Sequence, residues 1–294
     1  MANPFSRRRS LGHDVRTALG RVVRDAEFEL IPLNNLDAQI PFLPVGAIVS
    51  VTASPAKGIE ATVELSARLR ARGFRVTPHL SARMIRDRAH LREVLRRIDD
   101  AGIQRALIVG GDSRDPGAYP DGLSLLRAMA DTGHGLAELG VPCYPQGHPT
   151  IPDEALIAAL ARKVPLVQYM TTQMCFDPVA IRRWVAARRA DGIALPVVIG
   201  IPGVTEPQKL LTVSARIGVA DTRSFVRKNA RFVARMVRSG GFYQPTSLIE
   251  DLGQLFADAE ASVQGIHVYT FNQVEASAAW RERYLTTLGL AASA

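Results

Sequence analysis

Residues 75–112 read RVTPHLSARMIRDRAHLREVLRRIDDAGIQRALIVGGD, and this stretch decides the fold. Arg75 to Leu80 is a short strand-like run, after which Leu91, Val94, Leu95 and Ile98 recur at the i, i+3, i+4, i+7 spacing of an amphipathic helix. Gly102 stops that helix, and Ala106 to Val109 is a second apolar, β-branched run that ends in Gly110-Gly111-Asp112. Strands that are apolar on both faces and joined by a helix belong in a parallel sheet.

The same unit recurs on both sides. Phe28 to Ile31, Ala47 to Thr52, Val141 to Tyr144, Leu166 to Thr172, Pro196 to Ile201 and Ile266 to Phe271 are further runs of this kind. Gly73, Gly140 and Gly192 read as further helix stops. Eight such units predict the α/β class and closure into a (β/α)8 TIM barrel, with a doubly wound open sheet as the competing arrangement. Leu11, Val15, Leu19 and Val22 form one stripe, which predicts an extra N-terminal helix over 8–24. Helical stripes are also expected at Leu248, Leu252, Leu255, Phe256 and Ala259, and at Phe225, Phe232, Val233 and Met236 in the long connection from Pro202 to Gly265. A chain of 294 residues, 47% hydrophobic, reads as a single catalytic domain over 1–294. Its parts are an N-terminal extension and helix at 1–26, the barrel at 27–272, and a C-terminal helix and tail at 273–294.

Composition removes several classes of function. The net charge of +8 rests on arginine, with lysine only at 57, 163, 209 and 228, and the arginines alternate with acids and alanines as on solvated helix faces. A nucleic-acid partner is not expected. No apolar run approaches the roughly 18 residues of a membrane span, and no apolar segment follows Arg7, Arg8 and Arg9 as an export signal requires. Cys143 and Cys175 make no disulfide framework or metal-like pattern, so a reducing, cytoplasmic setting is expected.

Chemistry in a barrel belongs where strands end. Glu29 stands between Phe28 and Leu30, where a carboxylate must be partnered, raised in pKa, or exposed at the strand end. Thr52, His79, Asp112, Tyr144, Gln146, Gln173, Tyr269 and Asn272 also fall at strand ends. Alone, His79 reads as a core histidine bonded to backbone, and Gly110-Gly111-Asp112 as a structural turn. Tyr144-Pro145-Gln146-Gly147-His148-Pro149 is a proline-stiffened loop suited to orienting a ligand. Met174 and Cys175 read as packing, and no metal site is expected. Neither a glycine-rich dinucleotide fingerprint nor a Walker loop is present.

Taken in order, Phe28-Glu29-Leu30-Ile31-Pro32, Ser50-Val51-Thr52, Pro78-His79-Leu80, Gly111-Asp112, Tyr144 to Pro149, Thr172-Gln173 with Phe176-Asp177, Pro202-Gly203 and His267 to Asn272 resemble the methylenetetrahydrofolate reductases over about residues 27–285. The resemblance implies a flavin-dependent barrel that binds FAD, takes hydride from NADH or NADPH, and reduces 5,10-methylenetetrahydrofolate to 5-methyltetrahydrofolate by a ping-pong route. It implies that Glu29 and Asp112 are catalytic, Glu29 as the general acid that opens the folate ring, and that Glu29, Asp112 and Gln173 bind substrate beside the flavin. By the same resemblance, Thr52, His79, Gly111, Asp112, Tyr119, Tyr144, His148, Arg162, Lys163 and Tyr269 bind the cofactor, Arg162 and Lys163 suiting its pyrophosphate. The implied partner is a small-molecule folate, and oligomers are common in the family.

Departures mark a divergent branch. Leu30, Ile31 and Leu33 replace aromatics and a proline, and Ala53-Ser54 replaces Tyr-Gly. Gly110 stands for an arginine, Gln146 for a glutamate, Met174 and Cys175 for aromatics, and Gln273 for an arginine that helps hold folate. An adenine-side aspartate has only Asp153 and Glu154 nearby. Two other readings remain open: an enzyme oxidising 5-methyltetrahydrofolate in a demethylation pathway, and a folate- or flavin-binding barrel without turnover.

Overall fold

The computed structural model describes residues 11–33, 35–113, 116–206 and 242–290. Eight parallel strands close into a barrel in sequence order: β1 Glu27–Leu30, β2 Ile48–Val51, β3 Arg75–Ser81, β4 Arg105–Val109, β5 Glu138–Cys143, β6 Tyr169–Thr172, β7 Val197–Pro202 and β8 Val263–Tyr269. Closure is direct, with Glu27 paired to Ile48 on one side and to His267 on the other. The competing open sheet is thereby excluded.

Among the described residues, the α-helices are α1 His13–Arg24, α2 Gly58–Ala71, α3 Arg88–Asp100, α4 Gly122–Thr132, α5 Asp153–Lys163, α6 Pro178–Ala190, α7 Thr246–Asp251, α8 Gly253–Ala257 and α9 Val274–Thr287. The strand pleat sends alternate residues to opposite faces, and this divides the core in two. Phe28, Leu30, Val49 and Val51 join the large cluster shared with the helices, whereas Leu107, Tyr169 and Val198, with Val109 against them, form a separate inner cluster.

The N-terminal helix is present over His13–Arg24, with Leu11 before its first turn and residues 8–10 outside the described residues. Val15, Leu19, Val22 and Val23 are buried, and the helix lies so close to α8 that a Cβ on Gly253 would stand 2.6 Å from Val15 Cγ1. Arg281 of α9 donates to the carbonyls of Val23 and Arg24, capping the C-terminus of α1 with a charged group.

Glycines 73, 102 and 192 follow helices with positive φ, as expected. Gly140 does not: it lies inside β5, and α4 ends instead at Gly133 with φ of 80°. The reason is steric, since the Tyr169 ring covers residue 140 and a Cβ there would stand 2.2 Å from Cζ. Leu166 belongs to a short 3-10 turn before β6, and Phe271 lies beyond β8 with φ of 51°. The stripe from Leu248 to Phe256 is broken into α7 and α8, and Ala259 is exposed in the turn that follows. Phe225, Phe232, Val233 and Met236 lie outside the described residues. Among the described residues, no helix is long and apolar enough to cross a membrane.

Candidate active site

Glu27 and Glu29 are two residues apart on β1, so both carboxylates share the inner face while Phe28 and Leu30 face the helices. On the neighbouring β8, His267 and Tyr269 share the corresponding face. His267 Nε2 lies 3.4 Å from Glu29 Oε2, and its Nδ1 lies 3.7 Å from Glu27 Oε2. Both carboxylates and the imidazole are buried, at 4%, 6% and 1% exposure. Glu29 is therefore partnered, the first of the three states open to it from sequence. Thr270 Oγ1 donates to the Glu29 carbonyl at 2.5 Å and tethers the strand end.

Charges alternate through this interior. Arg105 of β4 sits with its guanidinium 3.8 Å from the centre of the Tyr169 ring, and its charge acts on Glu27. Burial alone would raise the Glu27 carboxyl, but His267 and then Arg105 and His79 outweigh it and hold it down at about 2. Burial likewise disfavours a charged His267, yet the carboxylates of Glu27 and Glu29 push its pKa up to about 9. His79, 5.9 Å away across stacked rings, goes the other way: burial, and then the charge on His267, pull it down to about 3. One histidine is kept charged and the other neutral. The expected backbone bond does not hold His79 at its outer nitrogen, because Nε2 is buried without a partner.

Tyr269 reaches across β7 to donate to the Thr172 carbonyl at 3.2 Å, beside Gln173. Its phenol is raised by burial and then by Glu29 and Tyr144. Tyr144 is itself raised to about 12 by burial, then by Cys143 and Asp112, and its ring meets His148 edge-on at 5.3 Å. The charge of Glu29 thus acts on the Tyr269 phenol, and that of Asp112 on the Tyr144 phenol.

The remaining predicted residues are more spread. Asp112 is exposed, and Gly111 takes φ of 87° where a Cβ would strike Ser81 Oγ. Thr52 is half-buried at the end of β2, its N–H bonded to Leu30 O. Gln173 turns its amide oxygen onto the Met174 N–H at 2.9 Å, leaving the amide nitrogen as the donating end. At the end of α5, Lys163 is half-buried and Arg162 exposed. Burial lowers the Lys163 pKa, and the charge of Asp121, near Tyr119, partly opposes it. Met174 and Cys175 are buried packing, and the Cys175 thiol is pushed up to about 12 by burial.

Sequence reasoning missed Glu27, His267 and Arg105. Their signal was the period-two spacing of Glu27 from Glu29 and of His267 from Tyr269, which puts each pair on one face. Glu29, His79 and His267 also bring one potential ligand atom each within 4.8 Å of one another. With Nδ1 turned to Glu27, the Nε2 of His267 faces Glu29, and the short separation suits a proton shared between them.

A closed eight-stranded barrel with a buried acid–imidazole pair at the C-terminal ends of its strands defines a barrel enzyme. The model of the methylenetetrahydrofolate reductase family matches residues 43–283, and the chain belongs to that family. Membership makes it a folate-related oxidoreductase. Among solved structures, it is similar to a protein assigned as a lyase/mutase from Burkholderia cenocepacia J2315, at 15% identity over 93% of this chain and 89% of that one, with a TM-score of 0.47. A sialic acid aldolase from Ruminococcus gnavus is similar at 12% identity over 66% of this chain and 65% of that one, with a TM-score of 0.41.

Proposed function

We propose that the chain interconverts 5,10-methylenetetrahydrofolate and 5-methyltetrahydrofolate, with FAD as cofactor and NADH or NADPH as co-substrate, and that Glu29 is the proton donor. The observation that carries this reading is the buried Glu29 carboxyl, 3.4 Å from the His267 imidazole and at the mouth end of its strand. Family members are generally flavin-dependent, and the residues here fit such a group. The buried, unpartnered Nε2 of neutral His79 needs a polar partner that a bound ligand can supply.

When bound, the flavin would supply the redox chemistry, accepting hydride from the nicotinamide and passing it to the folate in a ping-pong sequence. The protein's own part is binding, orientation and one proton. His79, Tyr144, His148 and Tyr269 would hold the cofactor from the strand ends, with Thr52, Gly111 and Tyr119 around them and Lys163 and Arg162 for its phosphates. Asp112 and Gln173 would orient the pterin. Glu29 would place its proton on the folate nitrogen whose bond to the one-carbon unit breaks.

General-acid help of this kind is worth about 100- to 10,000-fold, or roughly 3 to 5.5 kcal/mol. Stopped-flow oxidation of the reduced holoenzyme by methylenetetrahydrofolate should therefore slow by that factor in Glu29→Gln, while bleaching of the flavin by NADH under anaerobic conditions persists. An unchanged rate of folate reduction removes Glu29 from the role.

A further inference from the structure

Glu29 is one end of a buried row of ionisable groups, and the rest of that row has no part in the reading above. His267 stands between two carboxylates of the same strand, at 3.4 Å from Glu29 and 3.7 Å from Glu27. Glu27 is 4% exposed and lies one pleat below Glu29, away from the barrel mouth. A second buried carboxylate is expensive, and an ion pair repays that cost only with good partners on each side. Glu27 has them in His267 and Arg105.

We propose that Glu27 and His267 form a proton store beneath Glu29, in which His267 keeps a proton on Nε2 for Glu29 and Glu27 holds the ring through its Nδ1–H. Both act as positioning residues, and the proposal rests on Glu29 being the donor to folate. Glu29 stands as a carboxylate beside the charged ring and relays that proton. The His267 Nε2–H bond breaks as a Glu29 O–H bond forms, and this O–H bond breaks in turn as an N–H bond forms on the folate. Glu29 is left a carboxylate again, and the imidazole neutral with its one proton on Nδ1, facing Glu27. No electrons move in this exchange. After product leaves, a proton from water enters at the mouth and returns through Glu29 to Nε2. The donor can thus be recharged while bound ligands cover the mouth.

The groups facing His267 come from three strands. Glu27 and Glu29 on β1 favour its charge, the neutral His79 ring on β3 stacks at 5.9 Å, and the Tyr269 ring on β8 lies edge-on at 4.8 Å, while Arg105 on β4 acts on Glu27. The carboxylates prevail, setting the imidazole at about 9.

Two measurements test the store separately from the reading beneath it. In the full-length protein labelled with 15N, the ring signals of His267, assigned by their loss in His267→Gln, should show both nitrogens protonated at pH 7 and a midpoint near 9. In Glu27→Gln that midpoint should fall to about 6.5 or below. A neutral His267 at pH 7 in the unmodified protein overturns the store, whatever the enzyme turns over. In the reduced holoenzyme, folate reduction by Glu27→Gln should be about 30-fold slower than by the parent at pH 8, the ratio of charged imidazole for midpoints of about 9 and 6.5, with the gap closing towards pH 6. Glu27→Asp, which keeps the charge, should recover most of the loss. A parental pH profile in Glu27→Gln overturns the store; so does failure of Glu27→Asp to recover activity while both variants keep the native fold. If Glu27→Gln does not fold, the titration of the parent and the profile of Glu27→Asp decide. Normal folate reduction in Glu29→Gln instead defeats the Glu29 reading, and the store with it, even where His267 titrates as expected.

Discussion

The Tyr269 hydroxyl donates to the Thr172 carbonyl at 3.2 Å, across a strand that lies between them. The reach is possible because residue 200 of β7 has no side chain: a Cβ there would stand 2.8 Å from Tyr269 Cε2 and 2.2 Å from Thr172 O. Gly200 thereby positions an aromatic ring at the barrel mouth while the Gly200 N–H donates to Thr172 Oγ1 at 2.7 Å.

Gly200→Ala should therefore displace Tyr269 and cost about 1–3 kcal/mol through overpacking. Urea denaturation should show the lost stability, and flavin titration should show weakened binding. Parental values in both would mean that the ring relaxes freely and that its present position does not matter.

Asn272 closes the barrel mouth by accepting from the Ile31 N–H at 2.8 Å and donating to the Ile31 carbonyl at 2.9 Å, from a left-handed backbone with φ of 57°. Asparagine tolerates this conformation better than most side chains. Asn272→Ala should lose both bonds and the conformational match, about 2–3 kcal/mol. Asn272→Gly should lose the bonds but keep the backbone, falling between the two in denaturation midpoint.

Stability should peak near pH 6.5, and three buried groups set that shape. His267, raised to about 9, contributes fully below its unfolded value of 6.5, and that contribution is lost as pH rises through 9. It amounts to something on the order of 3 kcal/mol. His79, lowered to about 3, acts oppositely, so stability falls as pH drops from 6.5 towards 3. Glu27, lowered to about 2, adds to the acid loss below its ordinary value of 4.5. Chemical denaturation from pH 4 to 10 reads this directly, and Glu27→Gln should flatten the alkaline limb. Equal stability at pH 6.5 and 10 in the parent would contradict the charged state of His267.

Much of the fold was legible because burial imposes a period. All eight strands lie where short apolar runs were quoted, since a parallel strand covered on both faces can carry little else. Boundaries were less legible. Gly140 reads locally as a helix stop, and only the Tyr169 ring, 29 positions further along the chain, explains its place within β5. The strand-end residues Glu29, His79, Tyr144 and Tyr269 could be named individually, because a polar side chain in an apolar strand must answer for its burial.

By itself, then, the order of residues determined the alternation of strand and helix, the family, and which polar side chains sit at strand ends. Only the closed barrel decided their partners. Glu27 and His267 are 240 positions apart in the chain, and they meet because the last strand pairs with the first. Their protonation states follow from that meeting: a buried charge is set by what lies within a few ångströms of it in space, and adjacency in sequence carries no such information.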